Sequence, residues 1–546
     1  MYSKDEITSP TVSTDALLMT LVIDAMEGRE VATADVPGAY LQAEMDDDVI
    51  LRMTGASVDV LCQVNESYKE FVTEENGKKV IYLKLNRALY GCIKSAMLWY
   101  NLFSETLEKM GFVINPYDSC VANKTINGKQ CTIVWYVDDL KISHMELSVI
   151  REILDVIQSK FSGELVVTTG KEHTYLGIDI KFTEEGTIQT RMKEYIMEGI
   201  AVFESFGEDV SGGASTPAQR DLFIVDETSE RLDDARSDAF HHIVAKDLYV
   251  SKRCRLDIQL AISFLCTRVS KSTEQDWKKL RRLLQYLYRT RDEFLTLGGT
   301  DMMLIGMNTF IDVALAVHLD MKSHTGGLVT LGRGAVMSKS SKQKLNTTSS
   351  TTSELVGYSD YTPSSIWGNK FLDWQGYELE NNTHQDNQSA IKLEKNGRRS
   401  CGQKTRHIDI RYFYLKDLLD RGEIKVHYCP TELMIADFFT KPLQGALFNR
   451  LKAAVMGTIS IKEFMETPYG TKECVERKND GAPDVRPKIL WSDMVRGRNV
   501  KRTDGSERTN EMTDVDRKRL QEPVIIDKKR MAQGETKKHP RIKNEG

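Results

Sequence analysis

Residues 131–143 read CTIVWYVDDLKIS, and this stretch decides the fold of the first part of the chain. An apolar β-type run comes first, two aspartates follow, and a second β-type run closes the segment. The pattern predicts an antiparallel hairpin with Asp138 and Asp139 at its tip. An Asp side chain can hydrogen-bond nearby backbone in a turn, so a solvated hairpin without chemistry also explains this segment taken alone.

A second acidic strand end changes that interpretation. Asp35 follows the β-type run 31–34, and Pro37 with Gly38 then turns the chain. If the two strands are neighbours, Asp35 and Asp138 converge. Clustered carboxylates repel one another and stay ionised only beside cations, and Mg²⁺ prefers such oxygen ligands. Two ions about 4 Å apart would stabilise the attacking and leaving oxygens of a phosphoryl transfer.

Composition limits the classes of protein that are possible. The 546 residues suffice for roughly three to four domains, and 40% hydrophobic with 28% charged residues excludes a disordered chain. A net charge of -5 indicates neither a nucleic-acid binder nor a membrane-surface protein. Any basic groove must therefore be confined to one part of the surface. Nine cysteines without a C-x-x-C pair argue against zinc ribbons and disulfide frameworks. Without an apolar membrane span or signal segment, we expect an intracellular protein that is not secreted.

Hydrophobic periodicity divides the chain into four parts. Residues 1–200 mix strand and helix periods, and 201–300 show helical spacing that predicts a connector. Residues 301–455 return to an α/β pattern, and 456–546 form a charged tail that we expect to be disordered. The predicted fold class is therefore α/β and α+β, with several domains.

The third part carries its own set of acids. Asp312 lies inside an apolar strand, where an unpaired carboxylate is costly, and Glu354 lies near a predicted helix start. Asp386 and Asp437 follow further along the chain. Each could be a cap or a surface acid, and for Asp437 alone an N-cap would be the better explanation. Together the four could hold two Mg²⁺ ions and activate water against a phosphate.

The order and spacing of the first motifs resemble the reverse transcriptases of copia-type (Pseudoviridae) LTR retrotransposons. The matching pieces are Asp35 with Tyr40, Leu89-Tyr90-Gly91, Trp99-Tyr100 and Tyr136-Val137-Asp138-Asp139. The resemblance implies a palm-type polymerase domain in which Asp35, Asp138 and Asp139 are catalytic and bind metal. It also implies substrate contacts at Tyr136 and Gly91, and at Tyr40 a gate against the ribose 2'-OH, although a core tyrosine is the alternative there.

The second set resembles the RNase H domain that follows the polymerase in the same elements. By this resemblance Asp312, Glu354, Asp386 and Asp437 are catalytic and bind metal. The implied protein is a Pol polyprotein fragment with RNA-directed DNA polymerase and RNase H activities and two Mg²⁺ ions in each active site. Its implied partners are an RNA template, a DNA primer, an RNA-DNA hybrid, dNTPs and other retrotransposon polyprotein products, with no membrane. A cytoplasmic particle or the nucleus, and a place in the DNA integration pathway, are the expected setting.

Some positions depart from the family pattern. Only eight residues precede Ser9, where relatives carry a basic strand, so we expect truncated fingers. Lys94 stands where many relatives carry Gln, and Asp247 stands at a position that tends to be apolar. A catalytically inactive relic that at most binds nucleic acid is therefore the alternative function.

Overall fold

The computed structural model of the chain describes residues 8–299, 302–396 and 409–467, apart from the side chains of residues 393, 396 and 409–413. Its helices are Thr14–Glu27 (α1), Ala39–Gln42 (α2), Ala56–Val64 (α3), Ser95–Lys109 (α4), Leu147–Lys160 (α5), Lys193–Glu204 (α6), Asp234–Ser251 (α7), Gln259–Cys266 (α8), Glu274–Arg289 (α9), Met302–Ile305 (α10), Ser350–Trp374 (α11), Gln388–Asn396 (α12), Asp409–Asp420 (α13), Gly445–Val455 (α14) and Ile461–Glu466 (α15). Its strands are Glu30–Asp35 (β1), Ile50–Thr54 (β2), Thr73–Glu75 (β3), Lys78–Lys84 (β4), Val113–Asn115 (β5), Asp118–Ile126 (β6), Lys129–Tyr136 (β7), Asp139–His144 (β8), Val166–Thr169 (β9), Glu172–Tyr175 (β10), Ile178–Phe182 (β11), Thr187–Arg191 (β12), Leu295–Gly298 (β13), Met307–Ala314 (β14), His324–Thr330 (β15), Met337–Lys342 (β16), Asn381–Gln385 (β17) and Lys425–Tyr428 (β18).

The first sheet has the order β5-β6-β7-β8-β1-β9, and its neighbouring strands are antiparallel. The predicted hairpin is confirmed, since β7 pairs with β8 and Tyr136 lies opposite Asp139. Strand β1 lies against the other edge of β8, with Asp35 opposite Asp139. A one-residue slip in this register would turn every side chain of a strand to the other face.

Helix α1 lies in the core of this first part, because its residues 16–25 are all buried. Ser13 caps its start by accepting a hydrogen bond from the Ala16 amide. Its buried Asp24 receives a hydrogen bond from Lys141 of β8, which is also buried. Arg29, also buried, lies 3.7 Å from the other carboxylate oxygen of Asp24. Removal of one partner from a buried ion pair typically costs about 3–5 kcal/mol, and here Arg29 would offset part of the loss of Lys141.

Strands β10 to β13 form a second antiparallel sheet in chain order. Strand β13 follows the helices of the predicted connector, yet it pairs with β12 through residues such as Ile188 and Leu297. The sequence boundary at residue 200 is therefore not a structural break. A separate three-stranded sheet, β2-β4-β3, packs on α3 around a small core of Val58, Cys62 and Ile81.

The third part is a five-stranded sheet with the order β16-β15-β14-β17-β18. Strands β14, β17 and β18 are parallel to one another, while β15 and β16 are antiparallel to their neighbours. Helix α11 crosses β14 and β15 so closely that a Cβ at Gly357 would collide with Val313. This close approach places the first turns of α11 over the C-terminal end of β14.

The third part packs directly against the first. The Trp367 indole N–H of α11 donates to the Tyr117 carbonyl at 2.9 Å, and the Asn123 amide donates to Gln375 Oε1 at 2.8 Å. Tyr377, just after α11, donates through its hydroxyl to Glu27 at the end of α1. These polar contacts connect the C-terminal part of α11 to the first sheet and to α1.

Leu304 belongs to the short helix α10, which precedes β14. Two details differ from the sequence expectations. The tail predicted from residue 456 begins too early, because Met456, Ile461 and Phe464 are buried; residues from 468 onward lie outside the described part. Asp437 lies in a 3-10 helix, Ile435–Phe439, rather than in an α-helix or at an N-cap. The apolar residues within 461–465 are few and are mixed with charged residues, so the sequence gives no clear helical period there.

Within the described ranges, no helix combines the length and apolarity that a membrane crossing requires.

Helix α7 carries a carboxylate that destabilises the fold. Asp247 is buried, its Oδ2 has no hydrogen-bond partner in the described structure, and burial raises its pKa to about 7. The native state therefore keeps a proton that the unfolded chain has already lost above pH 4. Stability falls by about 1.4 kcal/mol for each pH unit between roughly pH 4 and 7 because of this group.

We expect Asp247→Asn to raise the free energy of unfolding at pH 8 by a few kcal/mol, because the amide carries no charge to desolvate. The gain should shrink toward pH 5, where the parent carboxyl is protonated. Guanidinium unfolding at both pH values measures this difference, and Asp238→Asn on the exposed face of the same helix is the control. A gain that does not depend on pH would contradict this explanation.

Candidate active site

The first carboxylates meet at the turn between β7 and β8. Val137 and Asp138 are the two central residues of this turn, while Asp139 already begins β8. Val137 has a φ of 57°, a left-handed conformation that is an outlier for a β-branched residue. Such a conformation costs on the order of 1–3 kcal/mol and persists only where surrounding contacts enforce it.

Strand pairing brings the three predicted acids of this site together. Asp35 is the register partner of Asp139, and the Val36 amide donates to the Asp138 carbonyl at 3.1 Å. Burial raises the pKa of Asp138, and the nearby charge of Asp35 raises it further. For Asp139 burial again raises the pKa most, followed by the charges of Asp138 and Asp35. The three carboxylates are therefore close enough to repel one another.

Aromatic side chains line the approach to Asp138. Tyr40 stacks on Tyr90 with ring centroids 5.6 Å apart, and Tyr90 is 85% exposed. Burial raises the pKa of Tyr40 first, and Asp138, Tyr90 and Tyr136 then raise it in that order. Tyr40 is thus a partly buried residue beside the acids and not an isolated core tyrosine. Gly91, next to Tyr90, has a φ of 99° and open space where a Cβ would stand.

Lys94 lies at the start of α4 and forms ion pairs with two acids of the loop between α2 and β2. Its Nζ is 2.6 Å from Asp46 Oδ2 and 3.3 Å from Asp47 Oδ2. These pairs raise the pKa of Lys94, with the hydrogen bond to Asp46 as the main cause. The ammonium group is therefore already engaged by protein carboxylates.

The second carboxylates form a tighter cluster. Asp312 of β14, Glu354 of α11 and Asp386, just after β17, each offer an oxygen within 4.8 Å of the others. Across the described ranges this is the one such group of three or more His, Cys, Asp or Glu ligands. The parallel pairing of β14 with β17 and the crossing of α11 over β14 bring these three elements together.

Burial and mutual repulsion dominate the electrostatics of this cluster. Burial raises the pKa of Glu354 well above its usual range, and Asp312 and Asp386 raise it further. The pKa of Asp386 is raised by burial and then by Asp312. Glu354 Oε2 is buried and has no hydrogen-bond partner in the described structure. A buried oxygen without a donor, beside two further carboxylates, is the arrangement expected of a divalent-cation ligand.

Asp437, the fourth predicted acid, lies outside this group of three but next to it. Burial, and then the charge of Asp312, raise its pKa to about 7. Lys441 lies between them, with its Nζ 2.7 Å from Asp437 Oδ1 and 3.6 Å from Asp312 Oδ2. Thr440 donates a hydrogen bond to Asp312 Oδ2. Sequence reasoning missed Lys441 and Thr440, although the i, i+4 spacing of Asp437 and Lys441 was a usable signal.

The donor set of each site suits a hard divalent cation. The second cluster offers three carboxylate oxygens and includes no described histidine or cysteine, the ligands that softer metals select. The three acids of the first site are likewise aspartates. At the second site, Asp312, Glu354 and Asp386 are the residues that would hold such an ion. At the first site, Asp35, Asp138 and Asp139 are the corresponding residues.

Comparison with known proteins gives a family for the first part of the chain. Residues 2–217 match the family described as reverse transcriptase (RNA-dependent DNA polymerase). The chain is 27% identical over 461 residues to the retrovirus-related Pol polyprotein from transposon TNT 1-94 of Nicotiana tabacum, across 83% of this chain and 32% of that protein. It is 24% identical over 455 residues to the Pol polyprotein from transposon RE1 of Arabidopsis thaliana, across 82% and 29%.

A solved structure of the prototype foamy virus protease-reverse transcriptase aligns with 81% of this chain and 48% of that chain. Its sequence identity is 12% and its TM-score is 0.19, values too low to support an argument.

The family match identifies residues 2–217 as a reverse transcriptase domain. Over most of its length the chain is similar to the Pol polyproteins of copia-type retrotransposons. It spans about a third of the length of the curated relatives that it matches.

We expect Mg²⁺ to stabilise the chain more at pH 8 than at pH 6. Without cations, the raised pKa values of Glu354, Asp386 and Asp437 make the folded state less stable as pH rises past their unfolded values. At pH 6 a cation must displace protons from these three carboxyl groups in order to bind. At pH 8 fewer of the groups are protonated, so the cation binds more tightly. At about a hundred times its dissociation constant, the ion should add about 2.7 kcal/mol.

Thermal unfolding with and without Mg²⁺ measures this effect. Glu354→Gln should lose most of the Mg²⁺-dependent gain, whereas Glu378→Gln, an exposed position in the same part of the chain, should keep it. Equal gains in both variants would show that the buried cluster does not hold the ion.

Proposed function

We propose that the chain is an RNA-directed DNA polymerase that extends a DNA primer with dNTPs on an RNA or DNA template. The observation that carries this proposal is the pairing of Asp35 with Asp139 beside Asp138, inside the region that matches the reverse transcriptase family. These three carboxylates would hold two Mg²⁺ ions. Bound Mg²⁺ would stabilise the charge that develops on the reacting phosphoryl group.

The residues around the acids would select and orient the nucleotide. Tyr40, stacked on Tyr90 and beside Asp138, would lie against the sugar and exclude a ribose 2'-OH. Gly91 leaves open space where any other residue would carry a Cβ, so a substrate could approach the backbone closely. Tyr136, partly exposed immediately before the acidic turn, would contact the primer end.

We further propose that the second cluster is an RNase H site acting on the RNA strand of an RNA-DNA hybrid. Asp312, Glu354 and Asp386 would hold two Mg²⁺ ions together with Asp437. Lys441 partly neutralises Asp312 and Asp437 and would approach the phosphate that is cleaved. Contacts to 2'-hydroxyl groups and to minor-groove shape would select the hybrid.

This proposal assigns a role to each part of the chain. Residues 1–200 would form the polymerase, 201–300 its thumb and connection, and 301–455 the RNase H-like domain. Template, primer and hybrid would bind mainly through phosphates, so affinity should fall steeply with salt. Other products of the same polyprotein would be further partners.

A relic that at most binds nucleic acid is the second candidate. Lys94, in place of the Gln of many relatives, is engaged by Asp46 and Asp47, and Asp247 destabilises α7. Both features would suit a chain under relaxed selection. Assays of the two activities separate this candidate from the enzyme.

In primer extension on an RNA template, we expect Mg²⁺-dependent synthesis by the parent chain. Asp138→Asn should lower its rate by about a hundredfold or more, because one of the charges that holds the metal is lost. Asp155→Asn, an exposed position on α5, should behave as the parent. No extension by the folded parent at any Mg²⁺ concentration would leave the relic as the better account.

In cleavage of a labelled RNA-DNA hybrid, we expect Asp312→Asn to abolish most activity and to leave primer extension intact. The matched control is Asp373→Asn, which is exposed on α11 of the same domain. Equal cleavage by the parent and Asp312→Asn would remove the second cluster from the proposal. Loss of both activities together in Asp312→Asn would point instead to a general folding defect.

A further inference from the structure

The backbone of the acidic turn is held at three successive carbonyl groups. The Val137 carbonyl accepts a hydrogen bond from Trp99 Nε1 at 2.7 Å, and the Asp138 carbonyl accepts one from the Val36 amide at 3.1 Å. The Asp139 carbonyl accepts a third from the Tyr175 hydroxyl at 3.1 Å. The three donors come from α4, from the residue after β1, and from β10. We propose that Trp99 and Tyr175 are positioning residues that hold Asp138 and Asp139 in the geometry needed to bind a divalent cation.

Trp99 is rigidly placed for this role. Its side chain is buried, and its ring centroid lies 5.4 Å from that of Phe103 and 5.1 Å from that of Phe161. The packed aromatic side chains leave the indole little freedom to turn. Its N–H is therefore a fixed hydrogen-bond donor to the carbonyl of Val137, the residue with the left-handed backbone conformation.

Tyr175 reaches the same turn from the second sheet. Its side chain is buried, and burial raises the pKa of its hydroxyl well above the usual value, with the charge of Asp139 as the next cause. The hydroxyl therefore stays protonated and remains a donor across the neutral range. Strand β10 is an edge strand of the second sheet. This hydrogen bond therefore links the position of Asp139 to the second sheet as well as to β1.

The need for such anchors follows from the turn itself. Val137 occupies a conformation that favours glycine, and the adjacent carboxylates repel one another. Both effects would drive the turn to relax and to separate the acids. The three anchors bind backbone carbonyl oxygens and do not engage the carboxylate oxygens of the turn.

This inference rests on the proposed function of the first site, but its test does not depend on catalysis. Mn²⁺ binding to the full chain is measured by electron paramagnetic resonance, with Asp312→Asn present throughout to weaken the second cluster. Tyr175→Phe removes one hydroxyl and Trp99→Phe removes one N–H. Tyr100→Phe and Trp367→Phe are the matched controls, since these side chains donate to the Ser119 and Tyr117 carbonyls, away from the turn.

We expect Tyr175→Phe and Trp99→Phe each to weaken Mn²⁺ binding about threefold to tenfold, the loss associated with one hydrogen bond. The controls should bind Mn²⁺ as the parent does, with thermal midpoints lowered by a similar amount. Equal Mn²⁺ affinity in Tyr175→Phe and Tyr100→Phe would overturn the proposal, as would the absence of an Asp138-dependent Mn²⁺ site in the parent. If Trp99→Phe fails to fold, the tyrosine pair alone decides.

Failure of this inference can be distinguished from failure of the proposed function. A parent chain that binds Mn²⁺ through Asp138 but does not extend primers would contradict the polymerase and still test the anchors. A parent chain that extends primers, with the tyrosine variant indistinguishable from its control, would contradict the anchors alone.

Discussion

The structure depends on holding like-charged carboxylates close together. At the first site the pairing of β1 with β8 sets Asp35 opposite Asp139. At the second site Asp312, Glu354 and Asp386 come from two parallel strands and one crossing helix. Burial and mutual repulsion raise the pKa of most of these acids, and at the second site the nearby Lys441 offsets only part of that rise. A divalent cation would reverse this cost, and the rigid surroundings keep its ligands in place.

The remaining core supports these two sites. Helix α1 is buried beneath the first sheet and exchanges a buried ion pair with Lys141, two residues beyond Asp139. Helix α11 carries Glu354 near its start and contacts the first sheet through Trp367 and Gln375. The two candidate sites thus belong to parts of the chain that are joined by specific polar contacts.

Much of this arrangement could be predicted from the sequence, because strand and helix periods carry local information. The hairpin around Asp138, the strand that ends at Asp35 and the helix that carries Glu354 are confirmed. Contacts between distant elements could not be predicted this way. Lys441 beside Asp312, the pairing of β12 with β13 and the anchor from Tyr175 all depend on tertiary packing. The N-cap suggested for Asp437 is not what the structure shows, because the residue lies inside a short 3-10 helix, an element without a periodic signature in the sequence.

The most direct test of the central claim is the position of bound cations in crystals grown with Mn²⁺. Anomalous scattering locates this ion independently of any assay. The account predicts density between Asp35, Asp138 and Asp139, and separate density between Asp312, Glu354 and Asp386. The account would be contradicted by well-diffracting crystals, grown at saturating Mn²⁺, in which neither set of carboxylates contacts an ion.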